Sequence, residues 1–68
     1  MNTETETHFT FDEALRLMRH ETTIMRPEGH TNIVYAIINE ELCWKMYKDW
    51  HIVTALDSET IMGTWTIS

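Results

Sequence analysis

Asn32-Ile33-Val34-Tyr35-Ala36-Ile37-Ile38 is apolar or aromatic at every position after the first. A β-strand sends alternate side chains to opposite faces, so this run loads both faces and belongs in the middle of a sheet. Asn39-Glu40-Glu41 turns the chain, and Leu42 to Tyr47 alternates: Leu42, Trp44 and Met46 to one side, Cys43, Lys45 and Tyr47 to the other. Lys48-Asp49-Trp50 reads as a hairpin turn and His51 to Thr54 as the returning strand. Upstream, Thr22 to Arg26 is a short strand stopped by Pro27, with Pro27-Glu28-Gly29 as its turn. Downstream, Asp57-Ser58-Glu59 caps a single helical turn through Met62, Gly63 ends it, and Thr64 to Ile67 closes the chain as a strand.

One helix precedes these strands. Thr10 with Glu13 three residues on is a capping box, each side chain satisfying a backbone donor at the helix start. Asp12 and Glu13 fall in the first turn and Arg16 and Arg19 in the last, which suits the helix dipole. Phe11, Leu15 and Met18, with Ala14 beside them, make one apolar stripe, and Leu17 lies off it. The expected fold class is α+β: one N-terminal helix near Thr10–Arg19 packed on a small antiparallel sheet of four to five strands. Residues 1–8 read as a polar lead-in and residues 9–68 as a single domain. The expected core is Phe11, Leu15, Met18, Ile24, Val34 and Trp65.

Composition narrows the function classes. The chain has 68 residues, 43% hydrophobic, with eleven acids against five bases and a formal charge of -6. An acidic chain gains nothing from counterion release, so general DNA or RNA binding is not expected. No apolar run reaches the ~18 residues of a membrane span. Cys43 stands alone, with no partner for an intrachain disulfide, which points to a reducing cytoplasm. A chain of this length buries only ~60% of its unfolded surface. Three Trp, two Tyr, two Phe and five Met exceed what one helix on one sheet face conceals. The second sheet face must therefore meet something, and a homo-oligomer, dimer or tetramer, is the simplest solution.

Catalytic equipment is not expected. His8, His20, His30 and His51 have no ligand spacing with Cys, Asp or Glu, so neither a metal nor a cofactor is expected. Cys43 sits mid-strand, as a packed thiol does, and Asp12 and Glu13 belong to the helix cap. A composite site would need residues from two copies, for instance His30 of one near His51 of another. Binding equipment is present: Arg26 beside a turn offers charge-assisted forks to phosphate, and Trp44, Trp50, Trp65 and Tyr35 offer flat faces to a base. The same residue types also make protein hot spots.

In order along the chain, Phe11-x-x-Ala14-Leu15-x-x-Met18, Ile24-x-Arg26, Asp49-Trp50-His51-Ile52-Val53, Leu56-x-Ser58-x-Thr60 and Trp65-Thr66-Ile67 form a set that resembles a family of small phage proteins. That family contains the Thoeris anti-defence 2 proteins. Gly29, Glu21 and Thr64 stand where its members carry Trp, Gly and Asp. The resemblance implies a homo-oligomeric sponge that holds a cyclic-nucleotide-type immune signal without cleaving it, in the host cytoplasm. Arg26 would then take phosphate, and Trp50 or Trp44 a base. The alternative expectation is a small acidic phage protein that binds and inhibits a host protein.

Overall fold

The computed structural model describes residues 8–68; of the lead-in expected over residues 1–8, all but His8 lies outside the described residues. Helix α1 (Phe11–His20) is followed by β1 (Met25–Pro27), β2 (Val34–Ile38), β3 (Glu41–Lys45) and β4 (His51–Ile52). A short helix α2 (Ser58–Met62) and β5 (Trp65–Ile67) complete the chain. The five strands form one antiparallel sheet in the order β4-β3-β2-β1-β5, with the doubly apolar β2 at its centre. Helix α1 packs against β2 and β5, so the fold is α+β with its helix over one sheet face.

Helix α1 starts where the sequence provides for it. Thr10 takes extended backbone and accepts from the Glu13 amide at 3.2 Å, while Glu13 Oε1 accepts from the Thr10 amide at 2.9 Å. Ala14 and Met18 carry the helix contact, fully buried, with Phe11, Leu15 and Leu17 packed at its flanks. Leu17 joins the core because it sits three residues beyond Ala14, on the edge of the same face.

The register divides the sheet cleanly. Met25 pairs with Tyr35 and Ile67, Tyr35 with Trp44, and Trp44 with His51. Directly paired residues project to the same side, so these side chains, with Trp65, Ile37 and Leu42, occupy the helix-covered face. The opposite, open face carries Arg26 and Thr66, Val34 and Lys45, Ala36, Cys43 and Ile52, and Ile38 with Glu41.

Two core expectations are corrected by this register. Ile24 is 41% exposed and Met25 is fully buried in its place. The expected strand Thr22 to Arg26 instead begins at Met25, because Thr22 takes a left-handed φ of 54°. Val34 is only half-buried and lies on the open face opposite Lys45. Phe11 and Leu15 pack on the core from its margin, while Met18 and Trp65 lie at its heart.

Trp65 organises that heart. Its ring lies 5.4 Å from Phe11 and 5.0 Å, edge-on, from Tyr35, and its indole N–H donates to the Thr60 carbonyl at 3.2 Å. A buried indole needs such a partner. Helix α2 buries no residue of its own, so its carbonyl for Trp65 is its packing role. Asp57 caps that turn, accepting from the Thr60 amide at 3.3 Å, and Gly63 ends it. On the far side of β5, Phe9 exchanges backbone hydrogen bonds with Trp65 at 2.8 and 2.7 Å, which covers that sheet edge.

Candidate functional site

The residues singled out for binding are divided between the two faces. Tyr35 is 6% exposed, in the core against Trp65, and directly opposite Trp44 on the helix-covered side. Its position is a correction to its expected role as an exposed stacking plane: β2 turns Tyr35 inward and Val34 outward. Burial, and secondarily the charge of Asp57, raise the Tyr35 phenol above its ordinary value. Asp57 itself is held below the usual carboxylate range by hydrogen bonding with Thr60.

Trp44 emerges at the margin of that same face. Its ring meets the His51 imidazole at 4.7 Å and 30°, and both line a cleft with Met46, Tyr47, Lys48 and Asp49. Tyr47 is 90% exposed at the mouth of this cleft. The chain bends at Met46–Lys48, so Trp50 falls just past the turn.

Arg26 and Trp50 belong to the open face. Arg26 Nη1 donates to the Thr31 carbonyl at 3.4 Å, which orients the guanidinium and leaves its other donors available. In the antiparallel register that pairs Met25 with Tyr35, the next position sets Arg26 beside Val34, and Val34 pairs with Lys45. Lys45 Nζ sits 4.8 Å above the Trp50 ring, a cation–π contact. Thr66, Arg26, Val34, Lys45 and Trp50 therefore form one cross-strand row. Three strand spacings separate Arg26 from Trp50, roughly 14 Å at about 4.8 Å each.

The charge on this row runs against that of the chain. Among the described residues, Arg26 and Lys45 are the only Arg or Lys in the strands, and Glu41 is the only Asp or Glu. Lys45 was not among the residues the sequence suggested for binding. Its signal was available: it alternates with Trp44 on β3 and faces the side opposite to it. What the sequence could not supply was the register that aligns it with Arg26.

The remaining clefts are unlike this row. One, lined by Pro27, Glu28, Gly29, His30, Glu59, Thr60, Gly63 and Thr64, exposes two carboxylates. Glu28 there accepts from the Thr64 hydroxyl and meets His8 Nε2 at 3.2 Å, and the Thr64 bond, with His8, lowers its carboxyl below the ordinary value. Gly29 turns the chain with φ +90°, and the His30 amide closes the turn on the Pro27 carbonyl at 3.1 Å. That left-handed φ is one that glycine adopts without strain. Among the described residues, no three His, Cys, Asp or Glu side chains converge as metal ligands, and no helix is long and apolar enough to cross a membrane. Comparisons with known protein families, curated proteins and solved structures returned no match for this chain.

Proposed function

We propose that the protein is a non-catalytic binding domain that sequesters a cyclic-nucleotide-type signalling molecule on its open sheet face, as a homo-oligomer, and that it serves a phage against host immunity. The carrying observation is the row that joins Arg26 to Trp50 through Lys45. Arg26 presents a planar fork to a phosphate, and Trp50 presents to a base the ring face that Lys45 does not cover. A positive row in a chain of charge -6 also draws an anion to this face rather than to the acid-lined clefts. The ordered resemblance to the Thoeris anti-defence 2 family supports the ligand class, and the exposed apolar residues Ile24, Ile38 and Ile52 on the same face support assembly.

Sequestration depends on tight stoichiometric binding, not on rate. His30 lies in the loop after β1, and His51 is stacked on Trp44 at the helix-covered side.

A thermal-shift panel of cyclic dinucleotides and cyclic ADP-ribose isomers tests the reading. A ligand at 100 times its Kd adds ~2.7 kcal/mol to the native state. At least one panel member should raise the melting temperature, and Arg26→Ala and Trp50→Ala should abolish the shift while Trp44→Ala keeps it. Loss with Trp44→Ala alone would move the site to the Trp44–His51 cleft and contradict the proposed row. The second reading, a host-protein inhibitor, draws on Tyr47 and Met62, which are 90% and 83% exposed. A flat panel together with a host protein that binds the wild type but not Tyr47→Ala would favour it.

A further inference from the structure

The open face carries a pattern that is complementary to itself. Across the sheet, Ala36 pairs with Cys43 and Cys43 with Ile52, and Ile24, just before β1 begins at Met25, continues this line. On one side of the line lie Val34 and Lys45, directly paired; on the other lie Ile38 and Glu41, also directly paired. Ala36 and Cys43 are small and sunken, 8% and 6% exposed, while Ile24 and Ile52 project at its two ends.

We infer that two copies of this chain pack open face to open face about a two-fold axis running along the Ile24–Ala36–Cys43–Ile52 line, with Lys45 of each copy paired to Glu41 of the other. This rests on the proposed homo-oligomer and adds its register. A two-fold axis between two facing sheets must lie in the interface plane. Set across the strands on this line, it lays each β3 antiparallel on the partner's β3. Val34 then meets the partner's Ile38, apolar on apolar, and Lys45 meets the partner's Glu41. Set along β3, the axis would bring Glu41 to Glu41 and Lys45 to Lys45, which like-charge repulsion disfavours. The interface is isologous, so each contact occurs twice.

The small side chains on the axis suit this contact. Sheets pack about 10 Å apart, and Ala36 and Cys43 leave room at the centre for Val34 and Ile38 from both copies. That separation also keeps the two Cys43 backbones beyond the ~7 Å limit for a disulfide. Arg26 and Trp50 lie on the same row on either side of the Val34–Lys45 pair, so they are set over the partner's β1 and β4 sides and not over its β3 charges.

Charge reversal reads this register. Glu41→Lys and Lys45→Glu should each weaken self-association by about tenfold or more, since each sets like charges together twice. The double variant restores both pairs with the charges exchanged and should associate within about threefold of wild type. Equilibrium sedimentation at micromolar concentration measures all four proteins, with circular dichroism to establish that each is folded. Restoration in the double variant supports the register. Single variants that associate like wild type, or a double variant no better than either single, would overturn it while leaving the homo-oligomer standing. A wild-type chain that sediments at 8.1 kDa would overturn the homo-oligomer itself.

Discussion

At the scale of single residues, backbone sign matters as much as side-chain type. Thr22 follows α1 with φ 54°, a conformation that costs a β-branched L-residue about 1–2 kcal/mol. The Thr23 amide nevertheless reaches back to the Leu17 carbonyl at 3.4 Å, so the turn closes the helix as a glycine would close it. Thr22 is exposed. Thr22→Gly should therefore stabilise the fold by about 0.5–1 kcal/mol after the added freedom of the unfolded chain is deducted. Thermal melting checks it, with a rise of ~4–8 °C per kcal/mol expected at this size; a lower midpoint would contradict it. Glu28 carries a second prediction. Its carboxyl is lowered by the Thr64 hydroxyl and by His8, so its contribution is present above the unfolded carboxyl value and is lost as pH falls through the folded one. An NMR titration should find the Glu28 midpoint below the ordinary 4.5, and Thr64→Val should move it upward. An unchanged midpoint in that variant would refute the assigned cause.

At the scale of elements, turns decide what the sheet can align. Asn39 and Glu40, at φ 53° and 65°, form a two-residue hairpin turn with both central residues left-handed. That turn sets β2 against β3 and thereby Val34 against Lys45. Glycine is the favoured second residue of such a turn. Glu40→Gly should raise the melting temperature without altering the register, and a fall would show that Glu40 contributes something beyond the turn. The elements most legible in the sequence were those with their own local signals. The Thr10–Glu13 box, the Asp57 cap and the doubly apolar β2 each declare themselves within a few residues. Strand β1 did not. Ile24 and Met25 are both apolar, so alternation alone could not say which faces the helix, and the answer depends on Thr22 reversing the chain. The candidate site was legible only in part for the same reason. Arg26 and Trp50 were visible as residue types, but their alignment through Lys45 passes across three strands, and the Pro27–Asn32 connection has no length signature that fixes a register. Tyr35 was misplaced because it shares β2 with outward-facing neighbours.

At the scale of the whole molecule, a small core and an uncovered sheet face belong together. Chains of 68 residues are stabilised by about 3–10 kcal/mol, at ~0.05–0.15 per residue. Trp65 contacts Phe11 and Tyr35 and donates to Thr60, so Trp65→Ala should cost ~3–5 kcal/mol and leave little or no cooperative melt. A melt within a few degrees of wild type would contradict its central place. The open face exposes Ile24, Ile38 and Ile52, and the Arg26–Lys45–Trp50 row gives that face its charge and its stacking plane. The proposed function has this face hold a nucleotide-type signal and leave it chemically intact. Its most direct test loads the protein with the panel member that shifts its melting, denatures the complex by heat, and weighs the released small molecule by mass spectrometry over a time course. The account predicts the unaltered ligand in stoichiometric yield at every time, lost together with binding in Arg26→Ala. A cleaved product that accumulates with time, and that His30→Ala or His51→Ala abolishes, would contradict it.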